Sequence, residues 1–182
     1  MFYGLHLNLS LIRNSMHIFI TGIAGFLGAN LADYYIAKGF RVSGCDNLVG
    51  GTLDNIDQNK VKFFKADCEN LEEMSKVIQD VDVVVHTAAY PHEGLSSFSP
   101  YLICKSNYIG AVSVFTASIK NNVKRIVFCS SMARYGNVEP PFYEEQEVNP
   151  VDPYGVSKRT KYMEDILDDM RMQQFNDYIE EA

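Results

Sequence analysis

From Met16 onward the chain alternates between two hydrophobic periods. Short apolar runs rich in β-branched residues (HIFIT, FRVSGCD, VKFFKAD, VDVVVHTAA and RIVFCSS) are separated by stretches in which apolar residues return every three or four positions. That alternation predicts five strands joined by crossover helices, hence a parallel sheet in an α/β fold. Leu27, Leu31, Tyr34 and Tyr35 predict the inward stripe of the first helix, with Gly39 as its C-terminal cap. Tyr108, Val112, Phe115 and Ile119 do the same for a longer helix ending near Asn121 and Asn122. Runs as apolar as VDVVVHTAA predict burial on both faces, so helices are expected on both sides of the sheet. After Tyr154, Met163, Ile166, Leu167 and Met170 stand at i, i+3, i+4 and i+7, with Asp165, Asp168 and Asp169 on the polar side. This pattern predicts one long closing helix. No glycine follows Gly155 and no proline follows Pro153, so the sheet is expected to stop at five strands.

A length of 182 residues fits one domain. Its expected span is 16–182, because MHIFITG opens directly on a strand and reads as a natural start; residues 1–15 (MFYGLHLNLSLIRNS) are expected to be a leader of doubtful function. A composition 47% hydrophobic and 21% charged suits a soluble α/β protein and sets aside disordered and fibrous classes. The net charge of −7, with no Lys/Arg run to offset it, disfavours nucleic acid and anionic membranes as partners. No uninterrupted apolar run approaches the roughly 18 to 20 residues that span a bilayer. Cys45, Cys68, Cys104 and Cys129 are scattered singly, which suits buried thiols in a reducing compartment, so a cytoplasmic location is expected.

The candidate chemistry begins at TGIAGFLG. Gly22, Gly25 and Gly28 follow the first strand and open the first helix, where glycines permit a tight turn and a close approach of backbone to a pyrophosphate, and the helix N-terminus offers N–H groups to the anion. Asp46 lies 18 residues after Gly28, at the end of the second strand. A carboxylate there accepts bonds from ribose hydroxyls and repels a 2′-phosphate, which favours NAD over NADP; a plain turn or cap aspartate is the competing reading. Asp67 closes the third strand and suits either an adenine amine or a strand-end cap.

Tyr154 and Lys158 stand four apart, one helical turn, so both fall on one face. A free tyrosine side chain titrates near 10 and is a poor base at neutral pH unless positive charge favours its phenolate. The Lys158 ammonium supplies one such charge and a bound nicotinamidium would supply another. Ser131 would lie at the C-terminal end of the fifth strand, the edge where open α/β sheets bind ligands.

Taken in order, TGIAGFLG, Asp46 in DNL, Asp67 in AD, HTAA at His86 to Ala89, Asn107, SSMARYG, PFYEE and DPYGVSK resemble the extended short-chain dehydrogenase/reductase family, specifically its NAD-dependent nucleotide-sugar epimerase/dehydratases typified by UDP-glucose 4-epimerase. The resemblance covers about residues 16–165 and implies a Rossmann-type doubly wound sheet. It implies that Tyr154 is the catalytic acid/base, that Lys158 binds the nicotinamide ribose and tunes the tyrosine, and that Ser131 orients the sugar hydroxyl. Cofactor contacts would come from Gly22, Ala24, Gly25, Phe26, Leu27 and Gly28 in the turn, Asp46 and Asn47, Asp67 and Cys68, Thr87, Ala88 and Ala89, Asn107, Tyr154 and Lys158. His86 has a competing structural reading as a buried strand-end histidine, and His92 could reach substrate or face solvent.

The reaction so implied removes a hydride from sugar C4 to NAD and returns it through a 4-keto intermediate, with a UDP-sugar as the substrate class and no metal. Dehydratases of the family carry a Thr-Asp-Glu run before their Tyr-Gly, where this chain has Ser131, Met132 and Ala133, so an epimerase or a 4-keto reductase is favoured; Arg134 is a smaller departure. Relatives continue into a C-terminal domain that grips the nucleotide half of the substrate, and that domain is expected to be missing here. Three readings stay open: an epimerase or reductase completed by another subunit, a truncated NAD module that acts by binding, and a homodimer or a dimer with a full-length paralogue.

Overall fold

The computed structural model describes residues 16–159. The expected leader, and the helical stripe from Met163 to Met170, lie outside the described residues. The elements run β1 (His17–Thr21), α1 (Phe26–Ala37), β2 (Arg41–Asp46), a 3-10 turn (Leu53–Asn55), β3 (Lys62–Lys65), α2 (Leu71–Val77), β4 (Val83–His86), α3 (Glu93–Ser96), α4 (Pro100–Ile103), a π-helical segment (Cys104–Ile109), α5 (Gly110–Lys120), β5 (Arg125–Phe128), a second 3-10 turn (Met132–Tyr135) and α6 (Pro153–Lys158).

All strand pairs are parallel and the order across the sheet is β3-β2-β1-β4-β5, which matches the first five strands of the doubly wound Rossmann order 3-2-1-4-5-6. Two hydrophobic clusters, one on each face, follow from strands that are apolar throughout. Phe19, Val84 and Ile126 point to one face, where they pack with Met74 and Ile78 from the α2 region and Phe115 of α5. Ile18, Ile20, Val42 and Val85 point to the other, against Ala29 and Ala32 of α1. Each fully buried side chain as large as Phe19 or Phe115 contributes roughly 2 to 3 kcal/mol through burial.

The stripe expected on α1 is corrected in part by this packing. Leu31 and Tyr35 do pack against the core, but Leu27 and Tyr34 are 47% and 56% exposed, and the fully buried line is Gly28, Ala29 and Ala32. The helix lies so close on the sheet that only small residues fit: a Cβ on Gly28 would run into the Gly22 carbonyl and come within 2.7 Å of Ile23 Cα. Gly39 does close α1, with a φ of +84° and its N–H on the Ile36 carbonyl. On α5 the expected Ile119 is also half exposed, while Val114, Phe115 and Ala117 fill the interior.

Among the described residues, the stretch Pro100–Lys120 has the length and apolarity to cross a membrane, and half of it is buried inside the fold. Of the long helix expected after Tyr154, the described residues include α6, which ends at Lys158 with Arg159 at φ −114°, ψ 44°; the rest lies outside the described residues. The Lys158 carbonyl accepts the Ser130 hydroxyl at 2.9 Å. The thiols depart from expectation as well, since Cys45 is buried, Cys68 and Cys129 are half-buried and Cys104 is exposed.

Register places the candidate residues. Thr21 pairs with Cys45 and His86, Asp46 with Lys65, and His86 with Phe128, so the C-terminal ends of the strands align along one edge. The glycine turn, Asp46, Asp67, residues 87–89 and Ser131 all leave the sheet at that edge.

Candidate functional site

The glycine turn is tied down from three sides. Gly22 and Ile23 donate their N–H groups to the Cys45 carbonyl at 2.8 and 3.2 Å, and Ala24 donates to Asp46 Oδ2 at 3.1 Å. Gly22 has a φ of +69°, and a Cβ there would sit 2.9 Å from the Ala88 backbone. That combination admits only glycine and brings the β1 and β4 ends together. α1 starts at Gly25 without a side-chain cap and without an acidic residue in its first turn, which leaves its positive end to an outside anion. Phe26 and Leu27 stand exposed beside it.

Asp46 is 8% exposed, and its second oxygen accepts the Leu48 N–H at 2.8 Å. Besides the ribose role expected from sequence, it therefore holds the phosphate turn in shape. Each carboxylate oxygen keeps a lone pair for a hydroxyl. Leu48 takes a φ of +66° to make that bond. Asn47 and Asp67 are brought together, Asn47 Nδ2 donating to Asp67 Oδ2 at 3.1 Å, while Asp67 Oδ1 accepts the Glu69 N–H at 2.9 Å. These observations fit the adenosine and pyrophosphate portions of NAD: a glycine cradle that a Cβ would fill, an uncapped helix start and a carboxylate at the β2 end.

At the other end of the edge, Asp152 caps α6 by accepting the Gly155 N–H at 2.9 Å, and Pro153 occupies the first helical position. Lys158 is 6% exposed and its ammonium donates to the Cys129 carbonyl at 3.2 Å. It lies 6.0 Å from the centre of the Tyr154 ring and 5.2 Å from that of Phe128. Burial pushes its pKa down to about 8. The expected pairing of Tyr154 with Lys158 on one face is therefore present. Ser131 opens the second 3-10 turn, its hydroxyl accepting the Ala133 N–H at 3.2 Å. That turn meets α6 where a Cβ on Gly155 would come within 2.7 Å of the Ala133 carbonyl oxygen. Arg134 stacks over Tyr135 at 5.3 Å.

His86 is fully buried, with Nδ1 2.6 Å from Thr21 Oγ1 and its ring stacked 5.7 Å from Phe128. Burial first, and the Lys158 charge second, push its pKa down to about 3, so the imidazole is neutral. Thr21 also accepts the Ala88 N–H at 3.2 Å, and its carbonyl accepts the Thr87 hydroxyl at 2.7 Å. His86 and Thr21 thus fix the segment Thr87–Ala89. His92 is exposed and packs edge-on against Tyr90 at 4.8 Å.

Asn107, which the resemblance implies, is joined in the site by two serines, Ser96 and Ser157, that were not legible in the sequence. Asn107 sits inside the π-helical segment, accepts the Tyr90 N–H at 2.7 Å and donates to the Tyr90 carbonyl and to Ser157 Oγ, both at 3.3 Å. Ser157 in turn donates to the Tyr154 carbonyl at 2.7 Å. Ser96, fully buried, donates to Asp152 at 3.2 Å. The Asp152-Pro153 dipeptide carried a helix-start signal; Ser96 and Ser157 carried none.

Residues 18–179 match the NAD dependent epimerase/dehydratase family. The chain is 34% identical over 146 residues to UDP-glucose 4-epimerase of Lactobacillus helveticus, covering 79% of this chain and 44% of that protein. Its fold is similar to that of UDP-glucose 4-epimerase from Thermotoga maritima, solved with UDP-glucose, with a TM-score of 0.79, 32% identity and coverage of 83% of this chain and 51% of the other. The Thermus thermophilus UDP-glucose 4-epimerase, solved with NAD, gives a TM-score of 0.75 at 30% identity, covering 79% and 47%. The chain spans about half the length of the curated relatives it matches.

Proposed function

The chain belongs to the NAD-dependent epimerase/dehydratase family, and from that premise we propose that it forms the cofactor-binding part of a nucleotide-sugar 4-epimerase acting on a UDP-sugar. Bound NAD supplies the acceptor that takes the hydride of sugar C4 and returns it. The glycine turn and the start of α1 hold the pyrophosphate, and Asp46 holds the adenosine ribose. Asn47, Asp67 and Cys68 line the adenine end, and Thr87, Ala88 and Ala89 flank the middle of the cofactor. Lys158 holds the nicotinamide ribose. Asn107 supports both Tyr90 and α6. The Tyr154 phenolate takes the proton of the sugar 4-hydroxyl and, as the phenol, gives it back, and Ser131 holds the same hydroxyl in line.

The observation that carries this reading is the buried Lys158 ammonium beside Tyr154, on the same sheet edge as the glycine turn. A second copy, or a longer paralogue, is proposed to pack on Pro100–Lys120, where Tyr101 and Ile109 stand exposed around an apolar hollow and Leu102 is exposed on the same segment. Cytoplasmic location belongs to the same reading.

The test is interconversion of UDP-glucose and UDP-galactose by the NAD-loaded chain, alone and mixed with a full-length relative. Tyr154→Phe should cut kcat by about 100-fold or more while leaving NADH binding intact. No turnover of any UDP-sugar in either mixture would contradict the proposal.

A further inference from the structure

Asp67 is held from three sides, and one of the three involves residues given no role above. From the end of β2, Asn47 Nδ2 donates to its Oδ2 at 3.1 Å. On the α2 side, Glu73 Oε2 accepts its N–H at 3.1 Å and its carbonyl accepts the Asn70 N–H at 3.0 Å. The third support is Glu69, whose N–H donates to Asp67 Oδ1 at 2.9 Å. The Glu69 carboxylate is bound in turn to the helical stretch 104–113. Its Oε2 pairs with the Lys105 ammonium and its Oε1 accepts the Ser106 hydroxyl, both at 2.8 Å, and the Ser113 hydroxyl reaches the Glu69 carbonyl at 3.5 Å.

We propose that Glu69, tethered by Lys105 and Ser106, is a positioning residue that sets the base specificity of the cofactor site: it fixes Asp67 where its carboxylate accepts the adenine 6-amino group. The inference rests on the reading of Asp67 at the adenine end of NAD. Each Asp67 carboxylate oxygen already accepts one hydrogen bond, so the amine must come in along a remaining lone-pair direction, and a small rotation of the loop spoils that approach. The loop runs from the end of β3 at Lys65 to the start of α2 at Leu71 and has no ladder or helix of its own. Side-chain tethers therefore hold it in place. Without the Glu69 carboxylate, Asp67 keeps its support from α2 but loses the anchor to the 104–113 stretch, and the cost of ordering the loop falls on binding.

The tether holds Glu69 more firmly than an isolated surface ion pair would. The Glu69 side chain is 20% exposed and has a different donor on each oxygen, which fixes the orientation of the carboxylate. Lys105 is half exposed and screened by salt, so its share is the smaller. The aim of Asp67 can be read from the base it selects. An amine donates to the carboxylate, whereas a carbonyl oxygen at the same place on the base has no proton to give and meets negative charge.

The experiment titrates the whole chain by fluorescence with NADH and with reduced nicotinamide hypoxanthine dinucleotide, which carries a carbonyl oxygen in place of the 6-amino group. The wild type should prefer NADH by about tenfold. Glu69→Ala should weaken NADH binding about fivefold and leave the hypoxanthine dinucleotide unchanged, so the preference falls to about twofold. Glu69→Gln, which keeps an oxygen acceptor for Ser106 and Lys105, should bind NADH within about twofold of the wild type. Lys105→Met, at an exposed position, should lower the preference about twofold, and it decides the matter if Glu69→Ala does not fold. Unchanged NADH affinity in Glu69→Ala, or an equal loss for both dinucleotides, would overturn the proposal and leave the cofactor reading standing. A wild type that binds both dinucleotides equally would remove Asp67 from the adenine amine and the proposal with it. Failure of the folded wild type to bind either would sink the cofactor reading itself.

Discussion

His86 shows how one buried side chain shapes the site and the acid stability together. Its imidazole stays neutral because burial, and next the Lys158 charge, lower its pKa from the ordinary 6.5 to about 3. Between those values the unfolded chain binds a proton that the folded chain refuses, so stability present above pH 6.5 is lost as pH falls toward 3. The loss amounts to about 1.4 kcal/mol per pH unit within that window. His17, whose pKa burial also lowers, acts in the same direction. Urea denaturation at several pH values should show a steep acid loss in the wild type and a shallower one in His86→Phe; equal slopes would contradict a buried neutral His86. The sequence left this residue between a structural and a cofactor reading. The structure joins the two, since the neutral ring and Thr21 fix residues 87–89.

At the scale of elements, α6 is six residues long and carries both Tyr154 and Lys158, so its position depends on what grips it. Asp152 caps it, Ser96 holds the cap, and Asn107 reaches Ser157 from the π-helical segment. Asn107→Ala should destabilise the fold by about 1 to 3 kcal/mol, because the Tyr90 N–H loses its acceptor, and should lower kcat more than it raises KM. Unchanged stability and kcat would show that the brace is dispensable. The strands, the glycine turn and the Tyr154–Lys158 face could be read from alternation and spacing. The π-helical segment could not, because it leaves no periodic mark in the sequence. Of the expected α1 stripe, Leu27 and Tyr34 face solvent because the helix seats on Gly28, Ala29 and Ala32, the residues small enough for the closest packing, while Leu31 and Tyr35 flank that contact.

At the scale of the molecule, the described residues form a five-stranded sheet whose β5 pairs with β4 alone and leaves Val127 43% exposed. An open edge and the exposed Tyr101, Leu102 and Ile109 favour association. Light scattering should give a dimer, and Tyr101→Lys with Ile109→Lys should shift it to monomer; a strict monomer at high concentration would remove the dimer from the proposal. The measurement closest to the central claim is an NADH fluorescence titration of the 182-residue chain. The expected result is saturable binding, abolished by Gly28→Ala and much weaker for NADPH because of Asp46. No binding by a folded chain would contradict the assignment of the glycine turn and Asp46 to the cofactor.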